Sequence, residues 1–165
     1  RQELCKFEQL NDAQNYKFGV LYCKADQTKE GEMYANNKTS QDYEEFLDLL
    51  GERVPLKNWE KFSAGLDVGC KHCKSLIAKY SINVMAATES TGRESLYLEI
   101  FDYHVMYHVA TMIPYKEDDE QQIDRKRHLG NDIVIIVFKE GAQKFDPTVI
   151  KSQFNRTCAN NSYIH

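Results

Sequence analysis

The chain has 165 residues, a formal net charge of −4, 42% hydrophobic residues and 28% charged residues. That is the balance of one globular domain able to bury its own core, not of a disordered segment. No apolar run approaches the roughly 18 residues of a membrane-spanning helix, and the acidic balance argues against a general nucleic-acid coat.

The chain opens at Arg1 with neither an initiator Met nor a signal peptide, so it reads as an excised domain. Its cysteines, Cys5, Cys23, Cys70, Cys73 and Cys158, read as reduced cytosolic thiols. Residues 16–23 (YKFGVLYC) are short, aromatic and β-branched, and predict a strand. Residues 41–50 place Tyr43, Phe46, Leu47, Leu49 and Leu50 among acids, which predicts an amphipathic helix stopped by Gly51. Residues 95–101 put Leu96, Leu98 and Ile100 on one face, and residues 103–112 put Tyr103, Val105, Tyr107 and Val109 on one face. Asp102 between them predicts a hairpin.

Residues 117–131 (EDDEQQIDRKRHLGN) predict a helix. Four acids open it and Arg125, Lys126, Arg127 and His128 close it, which suits the helix dipole, with Gly130 expected in a left-handed terminal position. Only Ile123 and Leu129 are apolar, so the helix is expected to be largely exposed. Its cationic end reads either as a solvated face or as a surface for an anionic partner. Residues 132–138 follow as an apolar strand buried on both faces, which would hold Asn131 at a helix-to-strand junction. Helices between strands, with a hairpin, predict an α/β fold with a mixed central sheet flanked by helices.

Several chemistries find no support. Cys70-Lys71-His72-Cys73 has metal-like spacing, but no second ligand pair accompanies it, so no metal site is expected. His104 and His108 fall on one strand face and read as half-buried sheet residues. The glycine-rich phosphate-binding loops and the nucleophile elbow are missing from the sequence.

Residues 125–132 (RKRHLGND), followed by IVIIVF, closely resemble the catalytic motif of the Rap-type GTPase-activating domain, a family with tuberin-like and Ral-directed members. Five further stretches resemble its Rap-directed branch: residues 16–24 with Gln27, 46–54 (FLDLLGERV), 65–68 (GLDV), 107–115 (YHVATMIPY) and 145–154 (FDPTVIKSQF). The resemblance implies an α/β sandwich like a GTPase's own core that binds no nucleotide and has no cofactor of its own. GTP and Mg²⁺ would be held by the partner, a Rap-type small GTPase in its GTP-bound state. Many GTPase activators insert an arginine; this family inserts an asparagine carboxamide, which by motif position is Asn131. His128 joins it in the catalytic motif. Lys126, Arg127 and Arg125 are the expected partner-facing cations, with Lys17 from the opening strand. Gly130 would keep the helix end close to the partner's phosphates.

By the same resemblance, residues 1–165 are one partial catalytic domain. Residues 69–90 form an insertion without counterpart, and residues 155–165 are a tail outside the family pattern. A homodimer is expected only with the family's upstream region. The chain is expected in the cytoplasm, recruited to membranes by regions outside it. A Rheb- or Ral-directed activator, or a non-catalytic GTPase-binding module, are the alternative functions.

Overall fold

The computed structural model describes residues 15–69, 90–151 and 156–161. The motif Cys70–Cys73 and most of the expected insertion lie outside these residues. In chain order the elements are β1 (Asn15–Cys23), α1 (Glu30–Tyr34), α2 (Gln41–Leu50), β2 (Glu52–Pro55), β3 (Glu94–Ile100), β4 (Tyr103–Val109), α3 (Ile123–Gly130), β5 (Val134–Lys139), a 3₁₀ turn (Pro147–Val149) and β6 (Arg156–Asn161).

The strands form one six-stranded sheet in the order β2-β3-β4-β1-β5-β6. β1 lies parallel to β4 and β5, β5 runs parallel to β6, and β3 is antiparallel to β2 and β4. The sheet is therefore mixed and flanked by helices, as expected. β1 occupies an interior position, and its Val20, Leu21, Tyr22 and Cys23 are all buried. Alternation then sends Val20 and Tyr22 to one face and Leu21 and Cys23 to the other. On the first face, α2 lays Tyr43 and Leu47 against Val20, Tyr22, Leu96, Tyr107 and Phe138. On the second, α1 and α3 deliver Met33, Tyr34 and Leu129 against Leu21, Ile135 and Val137. A third cluster, Leu56, Leu66, Tyr97 and Met106 with Trp59 and Phe62, packs beside it.

The helix of residues 41–50 forms where its pattern put it, with Ser40 accepting a hydrogen bond from the Tyr43 amide at 3.3 Å. Strand β4 stops at Val109, short of Met112, because the amides of Met112 and Ile113 turn back to the Val109 carbonyl at 3.0 and 3.3 Å. Helix α3 starts at Ile123 instead of Glu117. The acids before it form a capping turn: the Asp119 carboxylate accepts from the amides of Gln121 (3.0 Å) and Ile123 (2.7 Å). Gln122 is buried there at a left-handed φ of 48°. Residues 156–161, placed outside the family pattern on sequence, form β6 and pair with β5 along its whole length.

Candidate functional site

Helix α3 is short and polar, so it needs anchors. Leu129, fully buried, is one. Arg125 is the other, one helical turn earlier and on the same side. It is 2% exposed. Its Nε donates to the Ile113 carbonyl at 2.9 Å, and its Nη1 donates to the carbonyls of Tyr34 (2.7 Å) and Asn36 (2.6 Å). Burial pushes its pKa down to about 10, so it stays charged at neutral pH. The expectation of Arg125 as a partner-facing cation is therefore corrected: it clamps α3 to the α1 loop. The expectation of a largely exposed helix is corrected with it.

The opposite side of α3 faces solvent. The Arg127 side chain is 61% exposed, and its Nη2 lies 3.5 Å from Asp124 Oδ1. Lys126 is half-buried, with its ammonium 5.7 Å from the centre of the Tyr34 ring. Asn131 follows as the exposed C-cap, at φ −90° and ψ 0°. Its amide N–H donates to the His128 carbonyl at 3.3 Å, and its Nδ2 donates to the Arg127 carbonyl at 3.0 Å. Gly130 is the last residue of α3 and does not take the expected left-handed conformation. A Cβ there would meet nothing within 4 Å among the described residues, so their packing does not require glycine.

Beneath Asn131 lies a polar cluster that sequence reasoning did not single out. Asp132 is wholly buried. Its Oδ2 accepts from His108 Nδ1 at 2.8 Å, and His108 Nε2 lies 3.2 Å from the Ala64 carbonyl oxygen. Lys17 Nζ stands 3.5 Å from Asp132 Oδ1, an ion pair, while that oxygen makes no hydrogen bond among the described residues. The Lys17 side chain is 36% exposed, so it joins the buried carboxylate to the surface beside Asn131. His128 stands edge-on to His108, with ring centres 5.5 Å apart and a buried Nε2 that makes no hydrogen bond among the described residues. Burial, and then the nearby His108 and Arg127, hold the His128 pKa below the usual histidine value.

The structure thus brings Lys17, Lys126, Arg127, His128 and Asn131 to one end of the sheet and sends Arg125 to the interior. Asp132 was missed, its one weak signal an acid opening an apolar strand; His108, expected as a half-buried sheet residue, is instead 2% exposed and part of this cluster.

A family model described as Rap/ran-GAP matches residues 33–160, a range that takes in α3, Asn131 and most of β6. RapA guanosine triphosphatase-activating protein 1 of Dictyostelium discoideum is 45% identical over 159 residues, 95% of this chain. Signal-induced proliferation-associated 1-like protein 1 of Mus musculus is 46% identical over 154 residues, 93% of this chain. The chain spans only 13% and 8% of the lengths of these two relatives. A solved structure, the TSC2 GAP domain, aligns with a TM-score of 0.74 at 31% identity, over 89% of this chain and 69% of that one. Matched by the family model over residues 33–160, which take in the junction helix, and similar to these relatives over nearly all its length, the chain belongs to the Rap/ran-GAP family.

Proposed function

We propose that the chain is the catalytic part of a GTPase-activating protein that accelerates GTP hydrolysis by a Rap-like small GTPase, with Asn131 supplying a carboxamide in trans. The observation that supports this reading is the position of Asn131: exposed, yet held between a helix anchored by Arg125 and Leu129 and a strand inside the sheet. A group on such rigid elements can be presented to a partner with little loss of orientation. The relative named as a RapA GTPase-activating protein supports the choice of GTPase.

In this reading the partner brings GTP and Mg²⁺, in its GTP-bound state, and this chain brings no cofactor. Asn131 is neutral and has both donor and acceptor atoms, so it orients a water against the γ-phosphate and does not neutralise charge. One amide hydrogen is held by the Arg127 carbonyl, which limits rotation of the carboxamide. Arg127, Lys126 and Lys17 face the partner around it, and the reaction takes place in the cytoplasm.

The test is single-turnover GTP hydrolysis by a Rap GTPase at saturating chain. Asn131→Ala is expected to keep the fold and most of the binding, and to lower the maximal rate by about 10²- to 10³-fold, as loss of other preorganised polar groups does. A mutant as fast as the parent would end the asparagine assignment. A panel of Rap-, Rheb- and Ral-type GTPases in the same assay decides the partner.

A further inference from the structure

Strand register sets up a feature that the proposed chemistry does not use. Gly19 of β1 pairs with His108 of β4 on one side and with Ile135 of β5 on the other. Having no side chain, Gly19 leaves a gap across β1 through which His108 and Asp132 meet. A Cβ at Gly19 would lie 3.2 Å from Asp132 Oδ2, from Ile135 Cγ1 and from Leu129 Cγ. The gap is therefore filled by a hydrogen-bonded pair, with Leu129 and Ile135 against it and Lys17, the Ala64 carbonyl and His128 at its polar edge.

We propose that His108 and Asp132 are a positioning pair: their hydrogen bond across Gly19 fixes the α3–β5 junction and so sets the direction of the Asn131 carboxamide. This rests on the reading of Asn131 as the group that meets the GTPase-bound nucleotide. Three observations lead to it. Asp132 is one peptide bond from Asn131 and is wholly buried. The peptides on both sides of Asn131 are tied down, its own amide to His128 and the Asp132 amide to the Leu129 carbonyl at 3.1 Å. The His108 ring is itself held, by Asp132 on one nitrogen, by the Ala64 carbonyl near the other, and by the edge-on contact with His128.

Stability alone does not account for the pair. Burying a carboxylate is costly, and a well-packed apolar pair of similar size commonly serves the fold as well or better. A hydrogen-bonded pair adds direction, because its geometry tolerates little displacement. Displacement matters at this site, since a shift of about 1 Å in a reacting arrangement can cost roughly 10²-fold in rate.

The experiment uses the whole chain and a GTP-loaded Rap GTPase, and fits the maximal single-turnover rate and the half-saturating concentration separately. The variant His108→Phe/Asp132→Leu removes both partners together, and Lys17, which loses its ion pair with Asp132, is 36% exposed and keeps its charge in water. It is expected to melt at or above the parent's temperature. Its half-saturating concentration should stay within about twofold, while its maximal rate falls by about 10- to 10²-fold. Asp132→Asn, which keeps an acceptor for His108, should retain most of the rate. A double variant with the parent's maximal rate overturns the proposal, and so does an Asp132→Asn variant as slow as the double variant.

The second readout needs no turnover. The side-chain amide resonances of Asn131 in the chain alone should shift and broaden in the double variant and keep their positions in Asp132→Asn. Unchanged resonances in the double variant overturn the positioning role. If Asn131→Ala hydrolyses as fast as the parent, or the parent does not accelerate hydrolysis, the functional reading fails and the resonances alone decide whether the pair positions Asn131.

Discussion

Arg125 and Arg127 differ by two positions and by nearly everything else. In a helix, two residues is about half a turn, so one faces the core when the other faces solvent. Arg125→Leu would leave the carbonyls of Ile113, Tyr34 and Asn36 without their donor. It should lower stability by about 3 kcal/mol, since buried groups that lose a charged partner are costly to leave unmet. Arg127→Ala should change stability by less than about 0.5 kcal/mol, because exposed ion pairs contribute little. Chemical denaturation of the two variants checks both. The motif marked Arg125, Lys126 and Arg127 alike as partner-facing cations. The i, i+4 spacing of Arg125 with Leu129 was legible in the sequence as the inward side, but a charged residue there reads as exposed unless its carbonyl acceptors are known. His128 adds a pH dependence. Its folded pKa is held below the ordinary 6.5, so the unfolded chain takes up the proton first as the pH falls. The contribution from His128 is intact above about pH 6.5 and is lost as the pH falls through its lower folded value. Melting temperature between pH 7.5 and 5 should fall less steeply in His128→Asn than in the parent.

At the scale of elements, legibility followed locality. Helix α2 was readable, because a ten-residue amphipathic stripe and the Gly51 that ends it are both local signals. Helix α3 was readable at its basic end only. Its start depends on Asp119 folding back onto the amide of Ile123 and on Gln122 entering the interior, neither of which is a periodic signal. Strand β6 was missed because its place comes from pairing with β5, not from its own weak pattern. The segment read from sequence as an insertion is described at its two ends. The two carboxylate oxygens of Asp67 accept from the Gly69 amide at 3.1 Å and from the Ser90 hydroxyl at 3.2 Å. Thr91 Oγ1 in turn accepts from the Asp67 amide at 2.7 Å. The chain thus leaves and rejoins the fold at one residue, and closure cost varies only slowly with loop length, about 0.6 kcal/mol per doubling. Replacing residues 70–89 with a short Gly-Ser link should leave cooperative thermal unfolding in place, with a midpoint equal to or above the parent's. Loss of the cooperative transition would show that the segment belongs to the core.

Across the whole molecule, strand order could not be read from sequence, because β1 joins β4 and β5 by contacts that span most of the chain. Charge was more legible: a net −4 chain carries its cationic motif at one place. Arg127 bonds Asn131 through its carbonyl and Lys17 pairs with the neighbouring Asp132, and the charges of both are moderated by acids. Lys17 is paired with Asp132, and Arg127 shares Asp124 with Lys116, whose Nζ is 2.6 Å from that carboxylate. Asp124 is thus the acid that weakens the positive field of the site, and its own pKa is held low, first by the hydrogen bond from Lys116. If a phosphate-bearing GTPase approaches this end, the field should show in the association rate more than in the maximal hydrolysis rate. Arg127→Ala should slow association at about 50 mM salt, and Asp124→Asn should speed it, each by a few-fold. The two effects should converge toward the parent near about 0.5 M salt, where the screening length is only a few ångströms. Stopped-flow association with a GTP-loaded Rap GTPase across that range measures both. Opposite shifts that vanish with salt would establish electrostatic steering at this end of the sheet, and equal rates for all three chains at low salt would remove Arg127 from the approach surface.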